Sequence, residues 1–180
     1  MKGEYIPWDP PLSRDQIEAY HRDGYLTSIP VIVDVEADEF QENFEQLVSD
    51  WGEPISRAEN LHLVYPWAFD LASEPRKKAA QLLGSGLRGD DLLIWGTLAF
   101  CKQPQSKGFV AWHQDSAYAD FLGDAPSVTA WIAISNSTTE NGCMRVCPGT
   151  HRTRLVHGKN TSPDNLLRQQ QQLDGPYDAS

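Results

Sequence analysis

The sequence predicts an α+β chain that turns mainly β in its second half, with helices first and a β core after them. Three observations carry this reading. Up to about residue 90, apolar residues recur at helical spacing between recognisable caps. From about residue 91 the runs "DDLLIWGTLAFCKQ", "GFVAWHQD", "SVTAWIAISN" and "GCMRVCPG" are short, apolar, β-branched or aromatic, and split by Gly, Pro, Asn and Ser. The length of 180 residues suits one domain, with a helical part over 1–90 and a β core from about 91.

Each element has its own signal. In "LSRDQIEAYHRDGYL", Ser13 is the N-cap and Gln16 its capping-box partner. Leu12 and Ile17 are spaced for a hydrophobic staple, and Gly24 supplies the stop. After the extended "YLTSIPVIV", a second helix is predicted over 35–51. Its stripe of Phe40, Phe44, Leu47, Val48 and Trp51 faces the core, and Gly52 ends it. "GEPISRAENLHLVYPW" reads as irregular, after which Ser73, Glu74 and Pro75 open a third helix through "RKKAAQLLG". The tail from about residue 161 reads as helix or loop.

Composition excludes some partners. The net charge is −10, of which residues 1–90 carry −9, so the acidity belongs to the surface of the helical half. Nucleic acid is not an expected partner, since phosphate binding needs a basic stripe. "RKK" at 76–78 reads as an exposed helix face. No apolar run approaches the ~20 residues of a membrane span, and "MKGEYIPWDPP" lacks a signal-peptide core. Cys101, Cys143 and Cys147 form no CxxC pair, which points to a reduced, cytoplasmic setting. Spaced four apart, Cys143 and Cys147 would share one strand face as small buried hydrophobes.

Two His-x-Asp pairs stand out. His21 and Asp23 fall on the first helix, where residues two apart point about 200° apart, so they cannot share one ion. His113 and Asp115 fall in a predicted strand, where residues i and i+2 share a face with Cβ atoms roughly 6.5–7 Å apart. An imidazole and a carboxylate close onto one ion over that distance. With a second imidazole they form the facial set of non-haem iron(II) oxygenases. A structural hydrogen bond between the two is the plainer alternative, and spacing does not choose.

The surroundings add more. "FCKQP", "WHQDSAY", "AWIAI" and "ENGCMRVCPGTHR" resemble, in order and spacing, the phytanoyl-CoA dioxygenase family of Fe(II)/2-oxoglutarate-dependent oxygenases. The resemblance runs over essentially the whole chain and is densest over 93–152. It implies a double-stranded β-helix, a jelly-roll with the N-terminal helices packed outside. It also implies Fe(II), 2-oxoglutarate and O2, used to hydroxylate a small organic substrate with succinate and CO2 as co-products. Under the resemblance His113 and Asp115 are iron ligands, and Trp131, Leu98 and Lys102 lie at the co-substrate. Tyr118 and the acidic loop after it face substrate, Gly142 and Gly149 serve turns, and His151 orients the loop beside the site. Asp115 also argues against the family's halogenase variant.

Two parts of the family pattern are not seen after Asp115: the distal iron-binding histidine and the arginine that pairs with the far carboxylate of 2-oxoglutarate. Neither His151, in "PGTH", nor His157 fits the distal role. The expectation is therefore an N-terminal part of a family member, with a jelly-roll incomplete at its C-terminal side. The rival expectation is an inactive fragment or binding module on the same scaffold. Substrate is read only as a small metabolite, although Arg145, Arg152 and Arg154 form a potential anion-attracting patch.

Overall fold

The computed structural model describes residues 11–52, 56–84, 86–117, 125–167 and 171–173. Helix α1 spans Arg14–Asp23 and carries the expected caps. The Ser13 hydroxyl accepts the Gln16 N–H at 3.2 Å, and the Gln16 side chain accepts the Ser13 N–H at 2.8 Å. Such a reciprocal box contributes about 1 kcal/mol to a short helix. Gly24 closes it at φ +88°, its N–H donating to the Tyr20 carbonyl.

Helix α2 spans Asp34–Trp51, with the Glu36 carboxylate accepting the Val33 N–H at 2.9 Å. The apolar stripe buries Phe44 and Leu47, but Trp51 is 55% exposed. The core meets the middle of the helix, so the last turn keeps its tryptophan in solvent.

The stretch read as irregular holds three elements. Strand β1 is Arg57–Glu59, a 3-10 turn covers Leu61–Leu63, and α3 spans Pro66–Ser73. Pro66 at the first helical position is the signal the periodicity missed, since its fixed φ suits that place. Ser73 therefore ends a helix instead of opening one, and α4 follows over Arg76–Leu83. The "RKK" run is not uniformly exposed: Lys77 faces solvent, while Lys78 is buried.

Phe44, Leu47, Ala58, Leu61 and Ala68 form the core, with Val48, Tyr65, Trp67, Ala99, Cys101 and Ile134 packed against it. Burying one such large side chain contributes about 1.5–3 kcal/mol. Strand β2, Leu98–Phe100, pairs antiparallel with β1 in the register Ala58↔Ala99. Strands β3, His157–Lys159, and β4, Gln171–Leu173, pair antiparallel with His157 opposite Leu173. β4 lies in the tail expected to be helix or loop, because pairing with β3 supplies what the glutamine run's composition does not.

The second half departs furthest from expectation. Of "DDLLIWGTLAFCKQ" only Leu98–Phe100 is strand. "GFVAWHQD" contributes a single parallel bridge, Phe109↔Asn165, and Asp115 opens a 3-10 turn over Asp115–Ala117. "SVTAWIAISN" and "GCMRVCPG" carry no ladder among the described residues. β-Branched composition provides the side chains of a strand, but a strand exists only when another backbone takes its N–H and C=O groups. Lacking such neighbours, the apolar side chains stay out: Leu93 is 96% exposed, and Trp95, Met144 and Val156 are exposed as well. The sheets of a jelly-roll are thus not assembled among the described residues. Cys143 and Cys147 are half-buried on irregular backbone, and none of the three cysteines forms a disulfide. No helix among the described residues is long and apolar enough to cross a membrane.

Candidate metal centre

His113 and Asp115 meet, though not on a strand. His113 Nε2 stands 3.1 Å from Asp115 Oδ1, and His113 Nδ1 stands 2.8 Å from the Ala111 carbonyl oxygen. A carbonyl only accepts, so Nδ1 carries the hydrogen and the neutral ring keeps its lone pair on Nε2. That lone pair faces a carboxylate oxygen. Two acceptors at this separation repel, and the contact is favourable only with a cation between them: a proton on Nε2 or a metal ion. Without metal, the proton answers. Burial disfavours the charged ring, but the Asp115 hydrogen bond, the Ala111 carbonyl and the Asp115 charge outweigh it and hold the His113 pKa above its ordinary value. Asp115 is held below the usual carboxylate range, chiefly by the His113 hydrogen bond. Burial opposes this, and the Thr129 hydroxyl reinforces it.

The rest of the segment is fastened to the chain beyond it. Phe109 N–H donates to the Asp164 carbonyl at 3.0 Å, and Leu166 N–H to the Phe109 carbonyl at 2.8 Å. Asn165, buried, accepts from Ala111 N–H at 3.4 Å and Leu167 N–H at 3.2 Å. Its Nδ2 has no partner among the described residues. Leu173 N–H donates to the Trp112 carbonyl at 2.8 Å. Arg57 ties this cradle to β1: Nη1 donates to the Leu166 carbonyl at 3.0 Å, while Nη2 pairs with Glu59 at 2.9 Å.

The sequence reading missed three contributors. Thr129 donates its hydroxyl to Asp115 Oδ2 and so brings the segment bearing Trp131 to the site. Gln114 and Asn165 are the others, and both are ordinary polar residues until their partners are known. For Gln114 the one available signal was its place between His113 and Asp115, which turns its side chain away from theirs.

The other residues singled out in the sequence have these surroundings. Leu98 lies on β2 opposite Glu59 and is half-exposed, and Trp131 is 48% exposed. Lys102 donates its ammonium to the Gly142 carbonyl, in a turn where Gly142 holds φ +80°. Tyr118 lies outside the described residues. Arg145 sits over the Trp112 ring at 5.9 Å, and Arg152 donates to the Arg22 carbonyl at 3.2 Å.

Two donors thus fit a divalent ion, and their tautomer is the one a metal ligand needs. A third donor does not join them: no group of three or more His, Cys, Asp or Glu able to hold a metal occurs among the described residues. His157 has both nitrogens engaged, Nδ1 with the Leu155 carbonyl at 2.9 Å and Nε2 with the Gln114 N–H at 3.0 Å. His151 packs on Gly24 with Nε2 3.3 Å from the His21 carbonyl. His21 and Asp23 stay apart on α1, with Asp23 paired to Arg22.

The family model for phytanoyl-CoA dioxygenase (PhyH) matches residues 5–176, and the chain belongs to that family. It is similar to the ectoine dioxygenase of Streptomyces coelicolor, 26% identical over 180 residues, 91% of this chain and 59% of that protein. The Streptomyces anulatus ectoine dioxygenase is also 26% identical, over 91% of this chain and 60% of its own. The phytanoyl-CoA dioxygenase of Arabidopsis thaliana is 43% identical over 65 residues, 36% of this chain and 22% of that protein. The chain therefore spans about 60% of the length of the ectoine dioxygenases it matches. No solved structure matches significantly.

Proposed function

We propose that this chain carries the metal-binding segment of an Fe(II)/2-oxoglutarate-dependent dioxygenase that hydroxylates a small organic molecule. One observation carries the reading: His113 Nδ1 is committed to the Ala111 carbonyl, so Nε2 faces Asp115 Oδ1 at 3.1 Å, a spacing that a proton bridges in the metal-free chain and that a metal ion would bridge in its place. His113 and Asp115 would hold Fe(II), with Trp131, Leu98 and Lys102 toward 2-oxoglutarate and Tyr118 toward substrate. Bound iron would supply oxygen activation coupled to oxidative decarboxylation, giving succinate and CO2. The residues themselves orient the ligands and tune their protonation. Thr129 adds to the His113 hydrogen bond in holding the Asp115 pKa down, and Ala111 fixes the His113 tautomer.

The single domain over 1–180 and the jelly-roll architecture belong to the same proposal, supported by family membership. A small metabolite is the favoured substrate class, because the relatives matched over most of the chain are named for ectoine while the phytanoyl-CoA dioxygenases match shorter stretches. The proposed setting is reduced and cytoplasmic, from three sparse cysteines with no CxxC pair.

A second reading is a binding module without turnover, favoured by the absence of a three-donor cluster among the described residues. The test loads the chain anaerobically with Fe(II) and 2-oxoglutarate, then admits air and measures succinate beside an Asp115→Ala control. Asp115-dependent succinate supports the enzyme. Asp115-dependent iron binding without succinate supports the module. Iron binding unaffected by Asp115→Ala removes the proposed centre altogether.

A further inference from the structure

We propose that Gln114, the residue between the two metal ligands, is a positioning residue that locks the centre onto the loop at 150–155. Its side-chain amide is fully used. Nε2 donates to the Thr150 carbonyl at 2.9 Å and the Thr153 carbonyl at 3.0 Å, and Oε1 accepts the Leu155 N–H at 2.8 Å. Its backbone N–H donates to His157 Nε2 at 3.0 Å, a nitrogen left as acceptor because Nδ1 is held at the Leu155 carbonyl. With the Gln114 carbonyl accepting the Ala117 N–H at 3.0 Å, five hydrogen bonds converge on one residue.

The chemistry is selective for glutamine. Two carbonyls demand two N–H donors from one group, and a backbone N–H beside them demands an acceptor on the same group. Glutamate would turn a second carboxylate oxygen on two carbonyl oxygens. Asparagine is one methylene too short to span the same three partners.

The loop that Gln114 grips is anchored on its far side. Gly149 N–H donates to the Asp23 carbonyl at 2.7 Å, and Arg152 donates to the Arg22 carbonyl at 3.2 Å. These donors satisfy carbonyls that the C-terminus of α1 leaves without helical partners. His151 lies so close to Gly24 that a Cβ there would meet its ring at 2.3 Å. Gln114 therefore connects the metal ligands to a support built on α1. While its neighbours His113 and Asp115 turn to each other, it fixes the backbone from which both project.

This inference rests on the metal reading for its effect on binding, and its test separates the two. Mn(II) affinity, read by electron paramagnetic resonance, and backbone hydrogen exchange of the metal-free chain are measured for wild type, Gln114→Glu, Gln114→Met and Leu47→Ala. Loss of the supporting contacts is expected to weaken Mn(II) binding by about ten- to hundredfold. Exchange should quicken over 109–115 as well as 150–155. Leu47→Ala should lower the melting temperature while leaving the folded protein's Mn(II) affinity within about twofold. Should Gln114→Glu fail to fold, Gln114→Met, which keeps the bulk and loses the bonds, decides. Unchanged affinity together with unchanged exchange over 109–115 overturns the proposal. If wild type binds no Mn(II), the metal reading fails, and exchange over 109–115 alone decides whether Gln114 positions this segment.

Discussion

Thr129 donates its hydroxyl to Asp115 Oδ2 while His113 approaches Oδ1, so the two oxygens of one carboxylate serve different masters. Thr129→Val keeps the shape and removes the donor. The Asp115 pKa should then rise toward its ordinary value, measurable by carbon NMR of the carboxyl. The Asp115 side chain is 59% exposed, so solvent screening limits the stability change to about 1 kcal/mol or less. An unmoved Asp115 titration would mean that the hydroxyl plays no part.

The pH dependence of stability follows from the two shifts. The His113 pKa is raised, so its contribution in the metal-free chain is full below about pH 6.5 and disappears as pH rises through the higher folded value. The Asp115 pKa is lowered, so its contribution is present above about pH 3.9 and is lost as pH falls through the lower folded value. Bound metal reverses the upper flank, because the ion takes Nε2 as the proton leaves. Thermal midpoints between pH 5 and 9 should fall with pH in chelator, and the gain from added Mn(II) should grow. A His113→Asn variant with the wild-type profile would remove His113 from this account.

Of the two His-x-Asp pairs, only one should matter to metal. Asp115→Ala should abolish Mn(II) binding, whereas Asp23→Ala should leave it within about twofold, since Asp23 pairs with Arg22 on a helix. The loop contact there uses the Asp23 backbone carbonyl and survives the substitution. Equal losses in two folded variants would refute the assignment.

Helix α2 offers a stability contrast. Leu47→Ala removes a buried side chain and should cost about 2–5 kcal/mol in urea denaturation. Trp51→Ala, at an exposed position, should cost about 0.5 kcal/mol or less. Comparable costs would show that the core extends past the last turn.

The contrast also marks what the sequence could tell. Caps are local, and Ser13, Gln16, Gly24 and Gly52 all stand where their chemistry placed them. The stripe on α2 was legible as a direction, not as a depth of burial. Pro66 was overlooked because its helix is short and has no strong period. The His113–Asp115 contact was foreseen, but on the wrong backbone: the side chains meet where irregular backbone runs into a 3-10 turn at Asp115, not along a strand. Thr129, Gln114 and Asn165 act through partners 14 to 54 residues away, and no local pattern encodes such separations.

The bond from Arg57 to the Leu166 carbonyl joins residues 109 positions apart. Closing a loop of that length costs about 4 kcal/mol of chain entropy before any contact is gained. The core around Phe44 and Leu61 is drawn mostly from nearby sequence, and such contacts form early. On the ribosome, residues 109–115 emerge well before 164–173, so His113 and Asp115 are synthesised before the backbone that steadies them. Under the proposed metal reading, the ion is acquired only after residues 164–173 have arrived.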